Sequence, residues 1–471
     1  MSLENEYKIA VPRNAKVAYA SANTASNILN GIGFAAITFF YNYKMGLSAE
    51  LGALAWMIFL VWNAINDPLI GYVQDRTKSP LGRRIPYLRF GAPIYGVLFI
   101  MLWFPLVDIS NQMALFWYFV LMLFAFDTIF TNVGIITYIL PAEMTVSSKE
   151  RASLMVYATF IGVIGYVITF LLPMLLLTGD QSPTIDPAFP VAMILIGIIC
   201  GIVMFVSSYY IKENKYTQLE EPLRFISSMV ETFKNKPFII LQISVFVGLL
   251  TSTIITSAIF YYVEFVLILT GDLSILPLLI VIVVAFPFTY VYSRLVPKYG
   301  LKKLYIIGFA ILSGAFLMLF LTGRSLPTAI PGLILLGIGY SSTLITAPLL
   351  FGDTVDYDET RTGRRRESTY SGVEALLTKP AISIANGFFL MIISAFGFDN
   401  AASSQSDPAK MGIMIGFTLM PAIFTLIAAL VMNFYSLDGP DWNKQKDQLQ
   451  KIHERKEREY IAHIKNKEKI K

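Results

Sequence analysis

Long apolar runs alternate with short, charged loops about a dozen times along the 471 residues of this chain. A helix that crosses a bilayer needs roughly 20 mostly apolar residues, and these runs are of that length. The mean hydropathy is +0.61, and the 15% of residues that are charged are concentrated in the loops. A lipid-exposed strand could not satisfy its own backbone groups, so the runs should be helical. The sequence therefore predicts an all-α integral membrane protein.

Twelve membrane-spanning helices are predicted. Their approximate ranges are 22–43, 49–73, 90–108, 114–140, 153–177, 189–211, 238–269, 274–295, 304–322, 329–351, 369–397 and 411–436. The polar residues 1–16 contain no apolar core of a removable signal peptide. Cys200 is the only cysteine, which excludes an intrachain disulfide, and both histidines, His453 and His463, lie in the tail. No histidine is therefore available within the membrane for proton relay or metal binding.

Positive charges in the loops predict the orientation of the chain. The loop between the second and third spans and the loop between the tenth and eleventh spans are rich in Lys and Arg. Loops on the opposite side hold only scattered cations, namely Lys44, Arg324 and Lys410. By the positive-inside rule, both termini are predicted to be cytoplasmic in a multi-pass protein of the plasma membrane. The net charge of +5 follows from this topology and gives no indication of nucleic acid.

Charged loops recur with an offset of six spans. Aligning Arg76 with Arg294 brings Gly82 onto Gly300, and basic residues follow in both loops. Such a recurrence is typical of two parallel six-helix repeats. We predict two pseudo-symmetric six-helix bundles, at 1–211 and 238–440, joined by a cytoplasmic linker at 212–237. The charged tail, 441–471, is predicted to be a solvated helix, with contact to anionic lipid as the alternative.

Polar side chains share helix faces inside the first, second and fourth predicted spans. The candidates are Asn23, Asn27, Asn30, Asn63, Asn66, Asp67, Asp127 and Asn132. The three asparagines of span 1 are spaced i, i+4, i+7 and therefore lie on one face. A charge at mid-membrane costs about 2.5–3.5 kcal/mol, so such groups are expected to face a cavity or a partner. The alternative is that the amides hydrogen-bond neighbouring helices.

In the second half, Lys379 lies about ten residues into span 11 and is the only basic residue well inside any span. An unpaired ammonium there would lose its proton or find a carboxylate. The candidate partners are Asp67, Asp127 and Glu374, and Pro380 predicts a kink next to the lysine. The alternative, a lysine that extends to the interface, is disfavoured at this depth. By contrast, we expect Glu264 near the outer end of span 7 to be interfacial.

Aromatic residues near the span ends have a simpler interpretation. Trp103, Tyr261 and Tyr262 are predicted to belong to the belts of aromatic side chains at the membrane–water interfaces. One or two aromatic rings could stack on a sugar, and the sequence does not indicate which.

Three stretches carry a resemblance to a known family: 63–68 at the end of span 2, 149–151 after span 4, and 353–367 after span 10. The chain resembles the major facilitator superfamily and, within it, the glycoside–pentoside–hexuronide:cation symporter family of the melibiose permease type. The resemblance implies a monomeric secondary transporter that carries a sugar or glycoside with sodium or a proton by alternating access. It implies no catalytic residue and no cofactor beyond the coupling cation. Asp67 matches the family's second-span aspartate, and Lys379 matches its lysine in span 11.

The chain departs from the family pattern at four places. Cation-binding carboxylates of spans 1 and 2 match Asn27 and Asn63, and the fourth-span aspartate has no clean match. The sugar-contacting arginine of span 5 falls near Ala158 or Thr159. An amide can ligate a cation but cannot exchange a proton. Coupling is therefore expected to use protons at Asp67 or Asp127, or to be absent. Without the span-5 arginine, the substrate is not expected to be bound as the family's usual sugar is.

Charged clusters in the cytoplasmic loops are predicted to pair across the two halves and to close the cytoplasmic side. Their members are Asp75, Arg76, Arg83, Arg84, Glu143, Glu150 and Arg151 in the first half, and Asp353, Asp356, Glu359, Arg364, Arg365 and Arg366 in the second. Each such pair contributes about 0–1 kcal/mol, and several together can bias a two-state equilibrium. The alternative is that the basic residues only set the topology.

The alternative to cation-coupled transport is a facilitator or flippase for an amphiphile such as a lysolipid. An integral-membrane enzyme would need a nucleophile–base pair or metal ligands, which the absence of an intramembrane histidine and of paired cysteines disfavours. A channel is also disfavoured, since no repeated filter-like glycine segment is visible. The sequence contains no P-loop, so ATP is not expected to drive this chain.

Overall fold

The computed structural model describes residues 11–77, 79–145, 148–180, 182–213, 231–363, 366–449 and 451–452. Within them lie twelve long helices. They are α1 (Arg13–Phe39), α2 (Ala49–Arg76), α3 (Ile85–Trp103), α4 (Gln112–Met144), α5 (Ser148–Leu177), α6 (Ala188–Tyr210), α7 (Lys236–Leu267), α8 (Leu276–Tyr299), α9 (Leu301–Thr322), α10 (Leu326–Thr362), α11 (Glu367–Thr378 and Pro380–Ala395) and α12 (Asp407–Phe434).

Among the described helices, α2 to α12 are each long and apolar enough to cross a membrane. The exception, α1, has the length, but Asn23, Asn27 and Asn30 lower its hydropathy. Several helices extend beyond the predicted spans. For example, α1 begins at Arg13 and α10 ends at Thr362, because polar turns continue the helix after its apolar run.

The helices pack into two bundles, α1–α6 and α7–α12. In the first bundle α1 packs against α5 and α6, and α3 packs against α6. In the second, α7 packs against α11 and α12, and α9 packs against α12. Each of these contacts maps onto its counterpart with an offset of six helices. The repeat that was predicted from the loops is therefore present in the packing, as the major facilitator fold requires.

The two bundles meet along two helix pairs that are also related by the repeat. α2 packs along α11, and α5 approaches α8. We call the end of the molecule that bears the chain termini the proximal end, and the opposite end the distal end. The distal end carries the connections α1–α2, α5–α6, α7–α8 and α11–α12. Along the α2–α11 contact, Asn63 and Asp67 of the first bundle meet Lys379 of the second.

Candidate functional site

Helix α11 is interrupted at Lys379. Pro380 has no N–H to donate, so the regular helical ladder cannot continue through it, and the structure divides the helix between Thr378 and Pro380. The Lys379 carbonyl accepts a hydrogen bond from Asn63 Nδ2 of α2 at 3.1 Å. The Lys379 carbonyl, at this interruption, therefore links α11 to a side chain of α2 in the other bundle.

The Lys379 side chain crosses the bundle interface and forms an ion pair with Asp67 Oδ1. Its Nζ also lies 3.9 Å from Asp127 Oδ1 and 5.5 Å from the centroid of the Phe130 ring. Thr131 Oγ1 donates to Asp67 Oδ1 at 2.8 Å. One ammonium from the second bundle is therefore shared by two carboxylates of the first, and one of these carboxylates is also held by a hydroxyl.

Asn66 connects the two carboxylates. Its Nδ2 donates to Asp127 Oδ2 at 2.8 Å and to Thr131 Oγ1 at 2.9 Å. Asp127 and Asn66 are fully buried, and Asn66 Oδ1 is buried without a hydrogen-bond partner among the described residues. A buried acceptor without a donor is costly. The network therefore leaves one unsatisfied oxygen next to a site of net negative charge.

The asparagine stripe of α1 lies on the side of that helix that its own bundle covers least. Asn27 is exposed, and Asn23 and Asn30 are half-buried, whereas the residues between them are mostly buried. Asn30 Oδ1 is a second buried oxygen without a hydrogen-bond partner in the described part of the chain. The stripe is therefore available to a polar ligand rather than consumed by hydrogen bonds between helices.

Besides the three asparagines of α1, two further predicted site residues are not brought to this network. Asn132 donates to the Thr128 carbonyl of its own helix at 3.0 Å, so its amide forms neither the predicted site contact nor the interhelical bond that was the alternative. Glu374 points into the second bundle, where Gln242 and Tyr305 are its neighbours. Its position about 140° around the helix from Lys379 accounts for this separation. Thr131 was missed, although its place one turn after Asp127 could have indicated it.

The distal end is closed by contacts between the bundles. Gly179 N donates to Glu264 Oε2 at 2.7 Å, and Gly271 N donates to the Gly179 carbonyl at 3.1 Å. Glu264 is only 1% exposed. The expectation that Glu264 is interfacial is therefore wrong. A π-helical segment at the end of α7, Tyr262–Leu267, brings its side chain inward.

Further hydrogen bonds complete the distal closure. Tyr261 Oη donates to Asn42 Oδ1 at 2.9 Å, and Thr38 Oγ1 donates to Asn386 Oδ1 at 2.8 Å. The belt assignment of the aromatic residues is also wrong for all three residues, because Tyr261, Tyr262 and Trp103 are buried in the protein. Their hydroxyl and ring contacts, rather than lipid headgroups, account for their position near helix ends.

Among the described residues, the ion pairs of the proximal cluster of the first bundle lie within that bundle in this conformation. Arg83 and Arg84 lie 3.3 and 3.6 Å from Glu143 Oε1. The backbone N–H groups of Arg83 and Arg84 donate to Glu213, an acceptor that the sequence analysis did not single out. Glu150 pairs with Lys16 at 2.8 Å.

Two arginines of this cluster have neutral contacts. Arg151 Nε donates to the Thr145 carbonyl at 2.8 Å, and the Arg76 guanidinium stacks over the Tyr72 ring. The side chain of Asp75 lies outside the described residues.

The described ion pairs of the proximal cluster of the second bundle also lie within one half of the molecule. Arg366 pairs with Asp358 at 2.6 Å and with Glu231 at 2.5 Å, and the hydrogen bonds to Asp358 raise the pKa of Arg366. Asp353 accepts from Trp442 Nε1 at 3.1 Å and from Lys446 at 2.6 Å.

Helical residues 439–449 are thus docked on the bundle, so this part of the tail is not the freely solvated helix that was predicted. Arg364 and Arg365 lie outside the described residues. Asp356 is half-buried and Glu359 is buried on the same helix as Asp353.

Twelve helices in two related bundles, with a charge network between them at mid-depth, define the class of membrane transporters with the major facilitator fold. Comparison with known proteins agrees. Residues 18–439 match the family model described as MFS/sugar transport protein, so the chain belongs to that family.

Relatives and solved structures extend this finding. The chain is 27% identical to the "Uncharacterized symporter YnaJ" of Bacillus subtilis (strain 168) over 98% of this chain and 99% of that protein. It is 26% identical to the "Isoprimeverose transporter" of Lactiplantibacillus pentosus, covering 92% and 90% of the two chains. The crystal structure of a D-xylose-proton symporter superposes with a TM-score of 0.64 at 16% identity, over 89% of this chain and 97% of that one. This superposition shows that the two proteins share a fold.

Proposed function

We propose that this protein is a secondary active transporter that moves a sugar or glycoside together with a cation by alternating access. The observation that carries the proposal is the ion pair between Lys379 and Asp67, with Asp127 beside it. It joins the two bodies that must move relative to each other. The family membership and the printed names of the relatives support a sugar as the cargo.

The charge count suggests how coupling would work. Two carboxylates face one ammonium, so the network has a net charge of −1 when both acids are ionised. A sodium ion or proton that binds to Asp67 or Asp127 competes with Lys379 and changes the attraction between the bundles. A ligand shifts a conformational equilibrium only through such a differential interaction. Asn27 and Asn63 could ligate sodium through their amide oxygens but cannot exchange a proton.

The positive-inside rule places the proximal end in the cytoplasm, with both termini there, in the plasma membrane. On this assignment the conformation is closed to the outside. We propose that the proximal clusters exchange their partners within each bundle for partners across the bundles when the inside closes. The protein would act as a monomer, because each bundle supplies half of the site.

Uptake by purified protein in proteoliposomes tests this function. Mono- and disaccharides should be screened with and without imposed sodium and pH gradients, and lysolipid movement should be followed in the same vesicles. We expect saturable sugar uptake that one of the two gradients accelerates. Lysolipid movement without sugar uptake would replace the proposal by the flippase alternative. Sugar uptake that neither gradient accelerates would support a sugar as the substrate and would contradict cation coupling.

A further inference from the structure

Among the described helices, one basic side chain and four carboxylates lie deep within a helix. Lys379 is twelve residues from the start of α11 at Glu367, whereas every other Lys or Arg of the twelve long helices lies close to a helix end. The next deepest, Arg294, is five residues from the end of α8 at Tyr299. The carboxylates at least seven residues from a helix end are Asp67, Asp127, Glu374 and Asp353, the last of which pairs with Lys446 at the proximal end. The interior is therefore poor in positive charge.

The single ammonium is already engaged. Lys379 pairs with Asp67, lies 3.9 Å from Asp127, and is within 3.5 Å of Thr131 Oγ1. It is 16% exposed in its side chain. Within the described part of the chain, no second basic side chain reaches this depth to receive an anion.

The same charges can be summed with the coupling cation and the substrate bound. One coupling cation brings the group of Lys379, Asp67 and Asp127 from −1 to zero, whichever of the charges it contacts. A neutral sugar leaves that sum at zero, but a uronate or sulfonate returns it to −1 in a region of low dielectric, where an uncompensated charge is expensive. An anionic sugar would thus need a second cation to neutralise it. The described residues at the bundle interface offer no further pair of carboxylates that could bind this second cation.

Neutral polar groups of the first bundle fit hydroxyl groups. Asn23, Asn27 and Asn30 present amides, which both donate and accept hydrogen bonds, on one face of α1. Asn30 Oδ1 and Asn66 Oδ1 are buried acceptors without a partner among the described residues, and a hydroxyl can donate to such an oxygen when the bundles separate, whereas a carboxylate cannot. Amides suit a polyol, whereas a carboxylate ligand would call for a guanidinium or ammonium.

We propose that the substrate is an uncharged sugar or glycoside, and that the site discriminates electrostatically against the uronic acid form of the same sugar. This inference rests on the proposed function and narrows its substrate class.

The test uses pairs of sugars that differ only at C6, such as methyl β-D-glucoside and methyl β-D-glucuronide, and the corresponding galactosides, with methyl β-D-xyloside as a neutral probe without C6. Initial uptake into proteoliposomes is measured at pH 7 for each labelled compound. In each pair that is transported, we expect the initial uptake rate of the neutral sugar to be about tenfold higher or more than that of its uronide. A uronide that is taken up as fast as or faster than its neutral partner would overturn the inference and leave the proposed function standing. Failure to move any sugar would overturn both.

A variant separates charge from shape. Asp127→Asn removes one negative charge with little change in size, so the ratio of neutral to anionic uptake by exchange should fall toward one. Asp108→Asn is the matched control, because Asp108 is exposed in the α3–α4 loop and its carboxylate accepts hydrogen bonds only from Ser110 among the described residues. A ratio that is unchanged in Asp127→Asn would show that the discrimination is not electrostatic and would contradict the inference.

Discussion

Asp67→Asn should abolish gradient-driven accumulation of the substrate while exchange of substrate across the membrane persists. Asparagine has nearly the shape of aspartate and can still accept from Thr131, but it can neither bind a proton nor attract Lys379 as an anion. The accumulation ratio in proteoliposomes should fall to about one, since uphill transport requires the two fluxes to be linked. Exchange should remain within about tenfold of wild type, because the fold keeps its hydrogen bonds.

The control for this prediction is Asp108→Asn, which changes the same atoms at an exposed loop and should leave accumulation intact. Membrane insertion and thermal unfolding of all three proteins should be compared first. Wild-type accumulation in Asp67→Asn would show that coupling does not use this carboxylate.

Gly179→Val should shift the protein toward conformations open at the distal end. Gly179 has φ +94°, and a Cβ there would lie 2.8 Å from Gly271 N and 3.1 Å from its carbonyl oxygen, both on the other bundle. The larger side chain therefore prevents the backbone contact that closes this end. A cysteine at Thr38, a buried position within the closure, is introduced in every protein that is compared, so the loss of its own hydrogen bond is common to all. In Gly179→Val it should react with an impermeant thiol reagent about tenfold faster, which corresponds to a change of ~1.4 kcal/mol in the conformational equilibrium.

The matched control is Gly397→Val. Gly397, in the α11–α12 connection, also has a positive φ, +76°, but a Cβ there meets no atom within 4 Å. Both substitutions place a side chain at a positive φ, so a difference between them reports the contact. The background should carry Cys200→Ser, which removes the only native cysteine. Equal labelling in the two variants would mean that the Gly179 contact does not control opening.

Local patterns were sufficient for much of the fold and for the centre of the site. Apolar run lengths and loop charges predicted twelve helices in two repeats, because membrane insertion constrains both directly. Lys379 could be singled out because a lone ammonium at that depth requires an anion. The structure brings it to Asp67 and Asp127, two of the three carboxylates named as candidates.

The remaining features depend on tertiary geometry that no local pattern encodes. Glu264 and Tyr261 lie near a helix end, where interfacial residues also occur. Glu264 belongs to a π-helical segment that begins directly after Tyr261, and no local pattern indicated that this segment would contribute to the closure between the bundles. Glu374 and Lys379 are five residues apart, yet the helix sends them to different neighbours. The pairs at the proximal end depend on the conformation, so one sequence is compatible with pairing within or across the bundles.

The most direct test of the account is a set of double-mutant cycles on equilibrium exchange rates in proteoliposomes. Lys379→Ala is combined in turn with Asp67→Asn, Asp127→Asn and Glu374→Gln. The account predicts an interaction energy of about 1.4 kcal/mol or more with Asp67, a smaller one with Asp127, and additivity with Glu374, since residues in direct contact couple and separated residues do not. Additivity between Lys379 and Asp67, or a larger coupling with Glu374, would contradict the claim that an ion pair across the bundle interface is the centre of this site.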